Sequence, residues 1–358
     1  MSNTWGETIR VTLFGESHGT GIGAVIDGLP PGIAIDWERV KKEMARRAPG
    51  SSPLATPRKE KDSFTVLSGY FNGYTTGTPL AMEIRNENQH SRDYGELKSK
   101  MRPGHADYTG YVKYHGYNDY RGGGHFSGRI TAPLTFAGAI ARQVLEKEGV
   151  YVGAHALEVH GIPDRPFNPM GEDRQVLESL DSMRLPVLDR EVGQAMEAQI
   201  LTAQKAGDST GGIVECILCG LPAGLGDPFF DSLFSIPAVK GLEFGDGFRF
   251  SRLYGSQAND AMHYHDGRVE SLSNHNGGIL GGITSGAPVL FRTVVKPTAS
   301  IGKRQHTVDI EKKEDTLLSV GGRHDPCIVP RAIPVIENAA ALVVLDRLLT
   351  DRRLSYGK

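Results

Sequence analysis

The sequence predicts a fold of mixed strands and helices in one continuous unit, with two of the helices buried in its core. Residues 134–145 and 339–345 are apolar almost all round, which is typical of helices that the rest of the protein encloses. Short alternating apolar segments elsewhere predict strands. No linker of disordered composition separates the two halves of the 358 residues, so we expect one structural unit.

The first part of the chain is predicted to contain three strands and a helix. An alternating apolar run at 9–14 predicts the first strand, and others are expected near 63–69 and 79–85. Asp36 is placed to cap a helix that runs to about Arg47 and is ended by the Ala-Pro-Gly that follows. Since Arg47 comes three residues after an apolar position of the helix, we expect its side chain to point inward.

The second part of the chain is predicted to contain three longer helices and two strands. The helices are expected at about 133–148, 189–206 and 334–352. The strands are expected at 211–221 and 286–295. A weak similarity between residues 122–129 and 321–326, each just before a buried helix, suggests an internal duplication.

The bulk composition argues against several classes of protein. With 40 basic and 42 acidic residues the net charge is −2, which disfavours binding to nucleic acid or to a membrane surface. The longest apolar run, 339–345, is too short to span a bilayer, and the first residues contain no apolar signal core. We therefore expect a cytoplasmic protein.

The three cysteines predict neither a disulfide framework nor a metal site. Cys216 and Cys219 have the spacing of redox and zinc motifs, but they lie on a predicted strand, where residues three apart point to opposite faces. The sequence contains no second pair of this kind, so we expect structural roles and no bound metal.

Residues 15–19, Gly-Glu-Ser-His-Gly, form the first candidate catalytic turn, directly after the predicted first strand. Glycines allow a sharp turn and the close approach of a ligand. His18 is the side chain best suited to move a proton near neutral pH. The alternative interpretation is a tight turn that carries a surface histidine.

Two further loops combine histidines, arginines and glycines. In residues 102–107, Asp107 is an acid that can orient His105, and Arg102 offers a rigid fork for phosphate or carboxylate. In residues 121–129 a glycine-rich loop leads into a helix and presents backbone N–H groups to an anion. The alternatives are a surface turn and a flexible hairpin.

Two later segments suit the same kind of ligand. Residues 296–300 supply a cation and two hydroxyls, and residues 322–327 supply two cations and a carboxylate, although the second segment has a simple helix start as its alternative. Residues 19–24 fit a dinucleotide-binding fingerprint only superficially, because their glycines begin too far past the strand and no helix follows. Together the loops indicate a site for a small polyanion with acid–base chemistry.

These loops, in this order, closely resemble the chorismate synthase family, and the resemblance covers about residues 8–350. It is carried by residues 15–30, 102–107, Ser127-Gly-Arg129 with Thr131, 222–226, 238–241, 277–282, and 322–327 with Glu337. The resemblance implies an α+β fold, a single-unit β-α-β sandwich with core helices between two antiparallel sheets. It also implies one domain over residues 1–358 and a homotetramer.

The resemblance further implies a reaction and a cofactor. The family converts 5-enolpyruvylshikimate 3-phosphate to chorismate and phosphate by an anti-1,4-elimination that requires reduced FMN, without net redox. The substrate carries one phosphate and two carboxylates, and the positions that would hold them are Arg47, Arg58, Arg102, Arg129 and Arg323. Since no reductase domain or Rossmann motif is visible, we expect an external flavin reductase rather than reduction by NADPH on this chain.

Individual side chains gain roles from the same resemblance. His105 would protonate the departing phosphate, and His18 would stabilise or protonate the anionic edge of the reduced flavin. Asp325 would help to take up the substrate proton near the flavin N5, while Ser17 and Ser127 would supply hydrogen bonds. The residues expected to contact FMN are His125, Phe126, Ser127, Ala238, Gly281, Lys296, Pro297, Thr298, Ala299, Ser300 and Arg323.

The chain departs from the family pattern at a few positions. Many relatives have Arg-Ser where this chain has His125 and Phe126, and Pro53, Pro237 and Ala299 stand where arginine, asparagine and serine are common. These departures put side-chain contacts to FMN or substrate in question there, whereas backbone contacts would survive.

Two rival functions remain beside the one that the resemblance implies. A metal-dependent phosphohydrolase would use His18, His105, His324 and Asp325, but the sequence lacks a ligand pattern such as HExxH. A non-catalytic anion-binding protein would explain the arginines and leave the histidines idle.

Overall fold

The strands form two five-stranded antiparallel sheets and four two-stranded ones in a computed structural model that describes residues 3–50, 54, 62–86, 96–226, 231–321 and 324–354. The five strands that the sequence predicts, near residues 9–14, 63–69, 79–85, 211–221 and 286–295, are all confirmed. The strands are β1 (Thr4–Trp5), β2 (Arg10–Gly15), β3 (Gly21–Asp27), β4 (Thr65–Ser68), β5 (Tyr70–Phe71), β6 (Tyr74–Thr75), β7 (Leu80–Arg85), β8 (Tyr151–Val159), β9 (Ile162–Pro163), β10 (Gly212–Cys219), β11 (Val239–Phe244), β12 (Met262–His265), β13 (Arg268–Ser271), β14 (Ile279–Leu280), β15 (Ile283–Thr284), β16 (Val289–Val295), β17 (Gln305–Asp309) and β18 (Glu314–Leu318).

The strand order places the chain's two halves in separate sheets. The first sheet has the order β1-β2-β3-β7-β4 and the second has the order β11-β16-β10-β8-β9. In the second sheet Cys216 pairs with Ala154 on one side and Phe291 on the other. Cys216 belongs to the main core, whereas Cys219 packs against a separate apolar cluster, which confirms that the two thiols lie on opposite faces.

Two of the helices, at residues 131–147 and 329–354, are buried along most of their length in the main core. The helices are α1 (Trp37–Arg47), α2 (Asp107–Lys113), α3 (Thr131–Lys147), α4 (Arg174–Leu180), α5 (Arg190–Lys205), α6 (Asp231–Phe234), α7 (Gly255–Ala258) and α8 (Val329–Leu354). Asp36 accepts the N–H groups of Glu38 and Arg39, as the sequence predicts for the cap of α1. Within the described residues, no helix combines the length and the apolar character that crossing a membrane requires.

Helices α3 and α8 pack closely on each other, and they also contact the two sheets. Helix α3 contacts strands β2, β3 and β7 of the first sheet and β8 of the second, while α8 contacts β8 and β10 of the second sheet. Gly138 makes the close approach, since a Cβ atom there would lie 2.2 Å from the Asn338 carbonyl oxygen. The predicted start of α8 at Pro334 is wrong: the helix begins at Val329, and Pro334 lies inside it.

A cluster of ionised side chains ties α1, α3 and α8 together inside the core. Arg46 Nη1 lies 2.8 Å from Glu43 Oε2 and 2.6 Å from Glu337 Oε2. Arg142 Nη1 lies 3.0 Å from Glu43 Oε2, and Asp181 contacts both arginines. Burial alone would raise the pKa of Glu43, but the two arginines outweigh it and lower that pKa to about 2. Breaking any one pair here would leave a buried charge without compensation.

A second buried ionic group holds the outer helices against the second sheet. His155 is fully buried, and its two ring nitrogens lie 3.1 Å from carboxylate oxygens of Asp164 and Glu215. Asp164 also accepts the N–H groups of Leu188 and Asp189, which lead into α5. Because ionised carboxylates only accept hydrogen bonds, this geometry suits a doubly protonated imidazole. Burial lowers the pKa of His155, but the two carboxylates outweigh burial and raise it.

The last helix also fixes the start of the first sheet. Asp346 is 2% exposed and accepts the backbone N–H groups of three consecutive residues. The N–H of Glu7 lies 3.0 Å from its carboxylate, that of Thr8 2.8 Å and that of Ile9 2.7 Å. These three N–H groups precede β2, so the hydrogen bonds of that strand do not satisfy them.

Candidate active site

The turn at residues 15–19 leaves the end of β2 and carries Ser17 and His18 into the interior. Gly15 has φ +97°, a conformation that glycine adopts without strain. The backbone N–H of Ser17 donates to the Gly124 carbonyl at 3.1 Å. His18 is only 6% exposed, so the structure excludes the alternative of a surface histidine.

The loop at residues 102–107 holds an arginine, a histidine and an aspartate in direct contact. Arg102 Nε and Nη2 each lie 2.7 Å from the Asp107 carboxylate, in a bidentate pair. His105 Nδ1 lies 2.6 Å from Asp107 Oδ1, which makes Nδ1 the proton donor and leaves Nε2 to face the site. Burial would raise the pKa of Asp107, but the hydrogen bonds from Arg102 and His105 hold it well below its usual range.

Consecutive glycines bring these two loops together. An added Cβ atom at Gly122 would lie 2.3 Å from His18 Cδ2 and 3.0 Å from Ser17 Oγ. A Cβ atom at Gly123 would lie 3.0 Å from His105 Cε1 and 3.1 Å from its Nε2. Both glycines have positive φ, at 60° and 87°. Two imidazoles that are 87 residues apart in sequence therefore meet the same glycine loop, which the sequence predicts only as an anion cradle.

Two predicted anion-binding arginines share one internal carboxylate. Arg47 is 1% exposed, which confirms its predicted inward orientation. Its Nη2 lies 3.1 Å from Asp62 Oδ2, and Arg129 Nη1 lies 2.9 Å from Asp62 Oδ1. Arg129 Nε also donates to Asn86 Oδ1 at 2.6 Å. Sequence reasoning missed both Asp62 and Asn86.

The segment at residues 296–300 closes one side of the site. Arg102 Nη1 donates to Ser300 Oγ at 3.1 Å, and Lys296 Nζ donates to the Gly104 carbonyl. Burial lowers the pKa of Lys296, and the nearby ammonium of Lys240 lowers it further. The Lys296 N–H donates to the carbonyl of Ala238, which has φ +76° although it is not a glycine.

Asp325 is held at the start of the last helix by a residue that sequence reasoning missed. Its carboxylate pairs with Arg331 Nη1, and Arg331 Nε donates to the Arg47 carbonyl at 2.9 Å. His324 Nε2 lies 3.1 Å from the Gly321 carbonyl oxygen. The arginine one turn into α8 thus connects Asp325 to the end of α1.

Three predicted cofactor contacts are engaged within the protein. His125 Nδ1 lies 2.8 Å from the Gly15 carbonyl oxygen, and the Phe126 ring packs at 6.1 Å from that of Tyr114. Ser127 Oγ accepts the N–H of Arg129 at 3.3 Å, as a helix cap does. These contacts join the glycine loop to the 15–19 turn, to α2 and to the start of α3.

A few predicted residues are not joined to this group. Gly281 lies in the turn between β14 and β15, and β15 contacts the 222–226 segment through Gly226 and Leu225. No described contact connects Gly281 to the 296–300 segment. Pro53, Arg58 and Arg323 fall outside the residues that the structure describes. Over the same described ranges, no group of three or more His, Cys, Asp or Glu side chains is arranged to hold a metal ion.

The assembled group combines a guanidinium fork, two imidazoles and a glycine loop in one place. A guanidinium can bind an anion, and the pairing with Asp107 fixes the orientation of Arg102. The His105 Nε2 atom can give up or take a proton beside the glycine loop. The arrangement therefore suits a small anion whose reaction needs a positioned proton donor.

The sequence and the fold match known proteins over nearly the whole chain. Residues 9–349 match the family model described as chorismate synthase. A chorismate synthase from Korarchaeum cryptofilum is 44% identical over 357 residues, which is 98% of each chain. One from Thermococcus kodakarensis is 45% identical over 360 residues and covers 97% of this chain and 98% of its own. A crystal structure of chorismate synthase matches with a TM-score of 0.71 at 26% identity, over 97% of this chain and 93% of that one. The chain therefore belongs to the chorismate synthase family.

Proposed function

We propose that the chain converts 5-enolpyruvylshikimate 3-phosphate to chorismate and inorganic phosphate by anti-1,4-elimination, as a carbon–oxygen lyase acting on phosphates. One observation carries the proposal: His18 and His105 meet neighbouring glycines of one loop, with the Arg102 fork beside them. The reaction breaks a C–O bond to phosphate and a ring C–H bond, so it needs a proton donor on one side and a proton acceptor on the other.

His105 is the group that we assign to the leaving phosphate. Asp107 holds the Nδ1 proton, so the Nε2 atom delivers the proton that neutralises the departing anion. Arg102 lies next to the ring and would bind a phosphate oxygen through Nη1, the guanidinium NH₂ group that does not contact Asp107. The same contact with the Asp107 carboxylate orients the His105 ring and stabilises its charged form.

The other arginines would bind the remaining anionic groups of the substrate. Arg47 and Arg129 already face each other across Asp62, so their combined charge exceeds that of the carboxylate between them. This surplus positive charge, enclosed in a largely buried site, favours a carboxylate or phosphate ligand. Arg58 and Arg323 are proposed as further ligands on the basis of the resemblance.

Reduced FMN is the cofactor that we propose, and the residues present suit it. The Thr298 hydroxyl is buried without a hydrogen-bond partner among the described residues. Burial and then the nearby ammonium of Lys240 lower the pKa of Lys296, and two cations this close suit a phosphate ligand between them. When bound, the cofactor would supply transient electron donation to the substrate. Lys296, Thr298 and the backbone at Ala238 would hold it.

Two further groups act on protons on the cofactor side. His18 would hold a proton at its Nε2 atom, which lies against Gly122. Asp325, fixed by Arg331, would assist the uptake of the ring proton of the substrate. Ser17, whose hydroxyl lies against the same glycine, would add a hydrogen bond.

We also propose the family's general organisation for this chain. Its sandwich of core helices between two sheets is supported by the contacts of α3 with strands of both sheets and of α8 with strands of the second. A single domain, a homotetramer, a cytoplasmic location and an external flavin reductase complete the proposal. NADPH-dependent reduction on the chain itself is the alternative that the assay below separates.

The test is an anaerobic turnover assay that measures phosphate release from 5-enolpyruvylshikimate 3-phosphate. We expect release with chemically reduced FMN and none without flavin, and no release with NADPH plus oxidised FMN. Equal turnover without flavin would overturn the proposal. Stoichiometric metal with a metal-dependent rate would favour the phosphohydrolase. Anion binding without turnover would favour the binding protein.

A variant separates chemistry from binding in the same assay. His105→Ala is expected to lose turnover and to keep FMN binding, because the ring contacts Asp107 and Arg102 rather than the 296–300 segment. Full activity of this variant would contradict the role assigned to His105.

A further inference from the structure

We propose that Asn86 is a positioning residue that couples the guanidinium of Arg129 to the turn that carries Ser17 and His18. The proposal rests on the proposed function, since it concerns the same site. It assigns a role to the residue that directly follows β7 and that touches neither imidazole in any described contact.

The side-chain amide of Asn86 connects two parts of the site with hydrogen bonds. Its Nδ2 atom donates to the Glu16 carbonyl at 3.0 Å and to the Gly19 carbonyl at 2.9 Å. Its Oδ1 atom accepts from Arg129 Nε at 2.6 Å. The two carbonyls flank Ser17 and His18 in the chain, so the amide holds both ends of the segment that carries them.

The partners settle the orientation of the amide. A carbonyl oxygen only accepts and a guanidinium only donates, so a flipped amide would place like groups against each other on both sides. The backbone of the same residue adds a further contact, because its N–H donates to the Thr20 carbonyl at 3.1 Å. Asn86 thus binds the turn through both its main chain and its side chain.

The charge of Arg129 strengthens the link. A donor that carries a charge polarises the amide and makes its N–H groups better donors to the turn. Arg129 is also held on its far side by Asp62 at 2.9 Å, so its position relative to Asn86 is fixed. A ligand anion that binds Arg129 would therefore be coupled to the place of His18 through three hydrogen bonds.

Different residues hold the start of the turn, so the role of Asn86 can be tested separately from theirs. His125 Nδ1 binds the Gly15 carbonyl, and the Ser17 N–H binds the Gly124 carbonyl. Removing the Asn86 side-chain donors would weaken the hold on the end of the turn, where the Asn86 N–H bond to Thr20 remains, while the start of the turn at Gly15 stays anchored. We expect His18 to move without general unfolding.

Asn86→Asp is the variant that tests the coupling. The carboxylate keeps an acceptor for Arg129 but turns two donors into acceptors that face the Glu16 and Gly19 carbonyls. Asn274→Asp is the matched control, because Asn274 Nδ2 also donates to two carbonyls, of Pro169 and Pro288, at 2.7 and 2.9 Å. Its contacts do not involve the site.

Activity and backbone exchange are measured on both variants. We expect Asn86→Asp to lower kcat by about 100-fold, the size of effect that misplacing a catalytic group produces. The KM for the substrate should rise in Asn86→Asp, because the new carboxylate beside Arg129 cancels the surplus positive charge that Arg47 and Arg129 hold over Asp62. Asn86→Ala adds no charge and should lower kcat with a smaller change in KM. Hydrogen exchange of the peptide covering residues 14–20 should become faster in Asn86→Asp and stay unchanged in Asn274→Asp.

The outcomes distinguish this proposal from the proposed function. A wild-type protein without turnover would refute the proposed function, and the exchange result would still decide whether Asn86 holds the turn. Wild-type kcat in Asn86→Asp, or unchanged exchange at residues 14–20, would overturn the positioning role. An equal loss of kcat in Asn274→Asp would also overturn it, because it would show a general effect of losing two donors.

Discussion

Replacing Asp107 by asparagine tests how the 102–107 loop produces an acid. The carboxylate accepts four hydrogen bonds, from His105 Nδ1 and from the N, Nε and Nη2 atoms of Arg102. An amide has only one acceptor oxygen, so its NH₂ group must face either the histidine or the arginine. If it faces His105, the ring loses the partner of its Nδ1 proton, and its charged form loses its counter-ion.

The expected size of the loss follows from these contacts. A hydrogen bond to a charged group contributes about 1.5–3 kcal/mol, and about 1.4 kcal/mol corresponds to a tenfold change in rate. If the 2.6 Å contact to His105 acts in the transition state, kcat should fall by about 10- to 150-fold. If the amide instead faces Arg102, the loss should appear mainly in KM.

The assay is anaerobic phosphate release with reduced FMN, with kcat and KM determined separately. Asp260→Asn is the control, because Asp260 also accepts four hydrogen bonds, from Ser273, His275 and twice from Asn276, without any described contact with the site. Wild-type kcat and KM in Asp107→Asn would refute the reasoning. The same loss in the control would refute it as well.

Three other predictions concern the glycine loop and the stability of the fold. Gly122→Ala should abolish turnover, because its methyl group would lie 2.3 Å from His18 Cδ2. Gly73 also has a positive φ but faces open space, so Gly73→Ala should leave kcat unchanged. An active Gly122→Ala enzyme would contradict this packing. Glu215→Gln should lower the free energy of unfolding by about 3–5 kcal/mol, the cost of breaking a buried pair, as measured by urea unfolding. The pKa of His155 is raised in the folded state, so its contribution to the free energy of unfolding is complete below the ordinary histidine pKa and is lost as the pH rises through the raised pKa. The free energy of unfolding of the wild type should therefore fall more with rising pH than that of Glu215→Gln. Asp346→Ala leaves three N–H groups without their acceptor, of which those of Thr8 and Ile9 are buried. At about 1–3 kcal/mol for each buried donor, the free energy of unfolding should fall by about 2 kcal/mol or more, and an unchanged melting temperature would refute this.

Local signals in the sequence were sufficient for much of the framework. Asp36 and Asp189 mark helix starts because a capping side chain satisfies N–H groups only two or three residues away. The strand β8 was missed for a physical reason. Both of its faces are buried, so it lacks alternation, and it contains the polar His155 and the weak strand former Gly153.

Other elements depend on contacts that the local sequence does not encode. Helix α2 is only seven residues long and contains Gly110, so its own propensity is low. Proline is typical of a first helical turn, so the sequence predicts that α8 begins near Pro334. In the structure the five residues before Pro334 are already helical. Tertiary packing against α3 stabilises the helix across the proline.

In the candidate site, too, some residues can be predicted from the local sequence and others cannot. The histidine and arginine loops are recognisable because each groups its chemistry within a few residues, as in 102–107. Nothing in the sequence around Asp62, Asn86 and Arg331 marks them as partners of the site. Asn86, for example, contacts Arg129, which lies 43 residues later in the chain. A carboxylate or amide at such a distance gives no local pattern.

The contact between Asp346 and the start of the first sheet has a consequence for how the protein is made. The acceptor lies 337 to 339 positions after its donors, so nearly the whole chain must leave the ribosome before they can meet. Contacts of such long range form late, since closing a large loop costs entropy that they alone cannot offset. The segment that leads into β2, although it is synthesised early, would thus be among the last to be secured. Until then the start of the first sheet, where β1 is the edge strand, is held less firmly, and chaperones would have the most to protect at that stage.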